Sequence, residues 1–163
     1  MYPYFSSKRQ MPKSIYSKEV ANNYLPAPEN TLKLSEIILL SIQNESQDRC
    51  FYEKLLPLIK DEDKAIVEGI ILDETKHAKL LTHIYNLLNN TEPQKPENKE
   101  CTISENLIKN IEDAILDEAE AVKLYRELML NSENGEIRDV FFEIMTDEAN
   151  HATLMNFLYN KYH

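Results

Sequence analysis

Two short stretches decide how this chain folds: Asp73-Glu74-Thr75-Lys76-His77 and Asp147-Glu148-Ala149-Asn150-His151. In each, a glutamate and a histidine stand three residues apart, so on a helix they share one face. The same faces carry apolar residues at helical spacing, namely Val67, Ile70, Leu81, Ile84 and Leu88 in the first case and Ile137, Phe141, Ile144, Met155 and Leu158 in the second. Ionisable groups therefore point into a core, where only pairing, neutralisation or a metal ion makes them tolerable. The pattern predicts a buried cation site.

The rest of the sequence indicates long helices. Two glycines and no tryptophan occur among 163 residues, and apolar residues recur at helical spacing in four blocks of similar length, roughly 31–58, 62–89, 103–130 and 135–162. Residues 1–30 are rich in Pro, Tyr, Ser and Asn and show no such period, so we expect an N-terminal arm. The fold class predicted for residues 31–163 is an all-α four-helix bundle.

The connections between the blocks predict the topology. Short turns join the first two and the last two helices, so each pair should form an antiparallel hairpin. Residues 90–101, extended at ~3.1 Å per residue, would reach roughly 35 to 40 Å and could cross the bundle from end to end. As helix starts we predict Asp61 for the second helix and a capping box of Thr102 and Glu105 for the third, and Asn134 with Gly135 marks the break before the fourth.

The two halves of the chain repeat each other. With one residue inserted in the second hairpin, the alignment pairs Glu45 with Glu118, Tyr52 with Tyr125, Asp73 with Asp147, Glu74 with Glu148, and His77 with His151. Two such hairpins would bring four carboxylates and two imidazoles together at mid-bundle, which is a natural set for two ions. This ligand chemistry suits iron or manganese, with zinc as an adventitious substitute.

With these residues in place, the chain resembles the rubrerythrin-like di-iron carboxylate proteins of the ferritin-like superfamily. The resemblance covers about residues 32–162 and includes the segment Glu45-Ser46-Gln47-x-Arg49-x-x-Tyr52. It implies two iron ions as cofactors and a metal-ligand set with three kinds of member: Glu45 and Glu118 as terminal carboxylates, Glu74 and Glu148 as bridging carboxylates, and His77 and His151 as nitrogen ligands.

The resemblance also implies roles around the metals. Asp73 and Asp147 would each orient the histidine of the opposite repeat through its other ring nitrogen. Tyr52 and Tyr125, the candidate catalytic residues, would cover the site.

Two features depart from the rubrerythrin pattern. Typical rubrerythrins carry a further glutamate three residues after the third-helix ligand, where this chain has Ala121. Glu120 lies about 200° round the helix from Glu118 and should face elsewhere. The chain also holds no Cys-x-x-Cys for a rubredoxin-type iron site, so an external electron donor is expected.

Plainer interpretations stay open. A single Glu-x-x-His on a helix is most often a solvated pair, although two in register with matched upstream glutamates favour metal binding. The two tyrosines fit equally well as amphipathic core residues whose hydroxyls find a buried partner. Asp73 and Asp147 could be surface acids, and Cys50 a small core or boundary residue.

Composition excludes some partners and favours one compartment. The formal net charge of −10 argues against a nucleic-acid or anionic-membrane surface. The longest apolar run, Ile37–Leu40, is far too short to span a bilayer. With two cysteines and no signal-peptide pattern, we expect no disulfide framework, a reducing compartment and a cytoplasmic protein.

The function predicted from these observations is a non-haem di-iron or di-manganese oxidoreductase that reduces peroxide or O2 with an external electron donor, as a homodimer. One alternative is a ferroxidase or iron-handling protein that takes Fe(II) as substrate. Another is a structural, spore-coat-like interaction protein that kept the fold and uses its Tyr- and Pro-containing tail for contacts.

Overall fold

The computed structural model describes residues 33–94 and 101–163. Within these ranges four α-helices form two antiparallel hairpins, α1 (Leu34–Leu55) with α2 (Lys64–Asn89) and α3 (Leu107–Leu130) with α4 (Gly135–Tyr162). The all-α, ferritin-like four-helix bundle is thereby confirmed. The expected arm at residues 1–30 lies outside the described residues.

Apolar side chains pack into two clusters, one at each end of the bundle. The first cluster joins the start of α1, the end of α2, the end of α3 and the start of α4, through Ile38, Leu81, Leu124 and Phe141 among others. The second joins the opposite helix ends, through Leu55, Val67, Ile111 and Leu158 among others. It follows that α1 runs parallel to α4 and α2 to α3, so the end of α2 and the start of α3 lie at opposite ends of the bundle, as a crossover connection requires.

Side-chain chemistry sets where the helices begin and end. Pro57 lies in a 3-10 turn, Leu56–Leu58, that closes α1, and a second turn, Asp61–Asp63, precedes α2. Asn90 ends α2 in the left-handed conformation (φ 52°), which asparagine tolerates better than most residues. Asn134 caps α4 at the predicted break, accepting a hydrogen bond from the Ile137 amide at 3.2 Å.

Two predicted helix starts are wrong. Asp61 does not cap α2, because the intervening 3-10 turn moves the start of α2 to Lys64. Thr102 and Glu105 do not cap α3. The cap is Asn106, whose side chain accepts from the Lys109 amide.

The two cysteines correct another expectation. Cys50 and Cys101 form a disulfide that ties α1 to the far end of the crossover, and the Lys54 ammonium donates to the Cys101 carbonyl at 2.5 Å. The sequence analysis expected no disulfide framework; with this one disulfide present, cysteine usage no longer favours a reducing compartment. Among the helices described, none holds a stretch long and apolar enough to cross a membrane.

Candidate metal centre

A polar layer lies at mid-length, between the two apolar clusters. It consists of the six ligands predicted from the sequence, which come from all four helices: Glu45 on α1, Glu74 and His77 on α2, Glu118 on α3, and Glu148 and His151 on α4. Each is at most 1% exposed. Helical spacing places each Glu-x-x-His pair in the stripe that elsewhere builds the core, so the same periodicity that folds the bundle buries the charges.

The six side chains form two overlapping groups. Glu45, Glu74, His77 and Glu148 offer ligand atoms within 4.8 Å of one another, and so do Glu74, Glu118, Glu148 and His151. Glu74 and Glu148 belong to both groups. The arrangement is that of two adjacent cation positions which share two carboxylates, each completed by one further glutamate and one histidine.

The histidine rings are oriented from outside the cluster. His77 Nε2 lies 3.1 Å from Asp147 Oδ2, and His151 Nε2 lies 3.2 Å from Asp73 Oδ2. A carboxylate at this position holds the proton on Nε2 and leaves the Nδ1 lone pair for a metal. Nδ1 of His77 does face inward, 3.2 Å from an oxygen of Glu45. Each aspartate therefore braces the histidine of the other hairpin.

The two tyrosines also cross between the hairpins. Both are buried, and the Tyr52 hydroxyl donates to Glu118 Oε1 at 2.5 Å while the Tyr125 hydroxyl donates to Glu45. Burial, followed by the charge of Glu118 and the hydrogen bond to it, raises the pKa of Tyr52 well above its usual value. Tyr52 therefore stays protonated at neutral pH and holds one oxygen of the terminal carboxylate.

Without a cation the cluster retains protons. Burial raises the pKa of Glu74 well above its usual range, and the charges of Glu148 and Glu45 raise it further. Burial lowers the pKa of His77, but the neighbouring carboxylates of Glu148, Glu45 and Glu74 outweigh it and raise the pKa overall. Like charges this close cannot all ionise unless positive charge is added, which two divalent cations would supply.

Unsatisfied buried atoms test whether the residues fit a metal. Both oxygens of Glu74 and Nδ1 of His151 are buried and make no hydrogen bond of normal geometry among the described residues, although Glu74 Oε1 lies 3.2 Å from His151 Nδ1. Buried polar atoms of this kind cost about 1 to 3 kcal/mol each when left unpaired. They are the atom types that bind iron or manganese, so the site fits the cofactor that the resemblance implies.

One residue of the site escaped the sequence analysis. The Lys76 ammonium lies 2.6 Å from Asp147 Oδ2 and 3.6 Å from Asp73 Oδ1, so it links the two aspartates that brace the histidines. Asn150 occupies the same position in the second hairpin, so the support differs on the two sides. The sequence did carry a sign of this role, because Lys76 in the first motif is replaced by Asn150 in the second.

The third helix bears on the predicted departure from the rubrerythrin pattern. Ala121 is fully buried within the first apolar cluster. Glu120 accepts a hydrogen bond from the exposed Lys123 on the same helix, and it belongs to neither ligand group.

Comparison with known proteins gives one finding. The family model described as Rubrerythrin matches residues 36–159, a range that contains all six ligands. No curated protein and no solved structure matches the chain significantly.

Proposed function

This chain belongs to the rubrerythrin family, and from that premise we propose that it is a non-haem dinuclear metal oxidoreductase which reduces peroxide or O2 with electrons from an external donor. One observation carries the proposal: two groups of buried carboxylate and histidine ligands share Glu74 and Glu148. A buried set of this composition is expensive to keep without metal, since its four carboxylates repel one another and neither oxygen of Glu74 makes a hydrogen bond of normal geometry among the described residues.

Charge balance favours two divalent cations. Four glutamates carry −4, so two divalent ions leave the cluster neutral inside the core. Two iron ions are the proposed cofactor, with manganese as the second choice. When bound, such ions supply redox equivalents and a position where a small oxygen species is bound.

The protein's own residues hold that centre in place. The aspartates fix each imidazole so that Nδ1 faces inward. Tyr52 and Tyr125 each keep one oxygen of a terminal glutamate occupied, which limits how far that carboxylate can swing. The apolar clusters above and below exclude water along the bundle axis.

A ferroxidase or iron-handling protein is the second candidate. With Ala121 at the position of the extra rubrerythrin glutamate, the ligand set is symmetric between the hairpins, as in the ferritin and bacterioferritin type. In this case Fe(II) would be the substrate. The structural, spore-coat-like alternative ranks last, because a protein used only for its surface has no reason to keep six buried ligands.

The two leading candidates differ in what they consume. The protein would be loaded anaerobically with two equivalents of Fe(II) and given H2O2 with an artificial reductant; catalytic turnover supports the reductase. Stoichiometric oxidation of added Fe(II), with elution at several hundred kilodaltons, supports iron handling instead. In both assays Glu74→Ala is the ligand variant. Its matched control is Glu68→Ala, an exposed change on the same helix.

The proposal extends to partners. We propose a homodimer, and the large apolar side chains on the outer surface are candidates for its interface, with Leu72 70% exposed, Phe142 52% and Phe157 54%. Sedimentation of Leu72→Lys and Phe142→Lys against the unmodified chain tests it, since a dimer held by these faces should dissociate. A cytoplasmic location and the absence of nucleic-acid and membrane partners stay predictions.

A further inference from the structure

A pocket of about 350 Å³ opens between α1 and α2 and adjoins the metal centre. Two of the six ligands, Glu45 and Glu74, form part of its wall. The other lining residues are Ile42, Ser46, Arg49, Thr75, Ala78, Lys79 and Thr82. A second pocket of similar volume, between α3 and α4, contains none of the six ligands. Glu45 and Glu74 are themselves fully buried, so the first pocket lies against the outer side of the candidate centre.

The wall of this pocket breaks the symmetry of the two hairpins. In the internal repeat, Arg49 corresponds to Val122 and Lys79 to Thr153. Two cationic side chains thus stand at the α1–α2 entrance, where the other hairpin has none. Lys79 is exposed and makes no ion pair within the described part of the chain, whereas Arg49 lies 3.4 Å from Glu53.

The charged side chains at the pocket entrance favour a ligand of opposite net charge. The whole chain is acidic, with a formal charge of −10, so a cationic mouth is a local exception. Once two divalent ions neutralise the four glutamates, the charged side chains left in the pocket wall are Lys79 and Arg49, of which Arg49 is paired with Glu53. Their positive charge repels Fe(II) and attracts an anion.

The size and lining of the pocket indicate how large a ligand it can hold. Hydrogen peroxide has two heavy atoms and a water molecule takes about 30 Å³ in the liquid, so hydrogen peroxide needs roughly 60 Å³ and would fill about a sixth of the 350 Å³ pocket. Pockets of roughly this volume hold small organic molecules. The hydroxyls of Ser46, Thr75 and Thr82 already donate to carbonyls of their own helices. The walls therefore present methyl groups, alkyl stems and acceptor oxygens, and Arg49 and Lys79 supply the donors.

We propose that this pocket is the substrate site and takes a small organic molecule with one carboxylate, held by Arg49 and Lys79 next to the centre. The inference rests on the proposed reductase function and names its substrate class as a carboxylate-bearing organic hydroperoxide. The O–O bond breaks, two electrons arrive from an external one-electron carrier protein acting twice, two protons come from solvent, and the products are the alcohol and water.

Binding is tested first, without turnover. The protein is loaded with redox-inert Zn(II), its metal content is measured, and benzoate or benzyl alcohol is titrated while amide shifts are followed by NMR. We expect benzoate to move the amides of Ser46, Thr75 and Thr82, and to bind about tenfold or more weakly in Arg49→Gln/Lys79→Gln. The control Lys123→Gln/Arg126→Gln, which removes two exposed cations from α3, should leave the affinity unchanged.

Activity then tests the substrate class. For the iron-loaded protein, kcat/KM for the para-carboxyl derivative of cumene hydroperoxide should exceed that for cumene hydroperoxide, and the ratio should fall about tenfold or more in the pocket double variant. Equal binding of benzoate and benzyl alcohol, or no binding, overturns the inference. If H2O2 is nevertheless turned over, the proposed function stands; if no metal loads, that function itself fails.

Discussion

Replacing Glu74 with leucine should stabilise the metal-free protein while destroying the metal centre. Glu74 is fully buried, neither of its oxygens has a hydrogen bond of normal geometry among the described residues, and its pKa is raised well above the usual range by burial and neighbouring carboxylates. A leucine of similar volume removes those unpaired atoms and adds apolar contact. Glu74 therefore disfavours folding of the metal-free protein, and its presence is explained by its proposed role as a metal ligand.

The size of the effect follows from the unpaired atoms. One buried polar group left unsatisfied costs about 1 to 3 kcal/mol, and for a chain of this length 1 kcal/mol shifts the midpoint of thermal unfolding by about 2 to 4 °C. Metal-free Glu74→Leu should therefore unfold a few to about 10 °C above the metal-free wild type. With metal the order reverses, since an ion at 1,000 times its Kd adds about 4.1 kcal/mol to the wild type.

The assay is thermal unfolding by circular dichroism, in chelator and then with anaerobic Fe(II) or with Mn(II). Glu68→Leu on the same helix is the control, and since Glu68 is exposed we expect changes within about 0.5 kcal/mol and normal metal stabilisation. The reasoning is refuted if Glu74→Leu destabilises the metal-free protein, or if it still gains the wild-type stabilisation from metal.

Three further predictions concern the supports of the bundle. Reducing or replacing the Cys50–Cys101 disulfide should cost about 2 to 4 kcal/mol, seen as a lower urea midpoint for Cys50→Ala/Cys101→Ala; an unchanged midpoint would mean that the link contributes nothing. The pKa of Asp63 is lowered by its hydrogen bond to Lys161, against the effect of burial, so this carboxylate stabilises the fold above its unfolded pKa of about 3.9 and the contribution is lost as pH falls through the lower folded value. Asp63→Asn should lower the urea midpoint at pH 7 and converge with the wild type in acid, whereas a constant offset would contradict the assignment. Lys76→Met should weaken metal affinity about tenfold or more, as changes beside ligating histidines do, and equal affinity by competitive titration would remove Lys76 from the site.

The repeated motif carries much of the fold and the candidate site. Glu74 and His77 recur at helical spacing in an apolar stripe, and their counterparts Glu148 and His151 do the same, so periodicity alone places all four at mid-bundle. A buried charged residue can be recognised from the sequence when it interrupts a regular apolar pattern.

Features that depend on the packing of distant segments were harder to predict. The Cys50–Cys101 link needs the crossover to return to the end of α1, which no local pattern encodes. Lys76 gains its role only because two aspartates from different hairpins flank it. The start of α3, immediately after the Asn106 cap, is accompanied by hydrogen bonds between Ser104 and Asn110. These bonds compete with the expected capping box.

Metal stoichiometry is the most direct test of the central claim that the six side chains form one dinuclear centre. The chain would be reconstituted anaerobically with Fe(II), freed of loose metal and assayed for iron per chain, beside Glu74→Ala, His151→Ala and the control Glu68→Ala. The account predicts two irons for the wild type and the control, with at least one lost in each ligand variant, and a new near-ultraviolet absorption when peroxide is added to the wild type. Two irons held at native affinity by both ligand variants, or none held by the wild type, would contradict it.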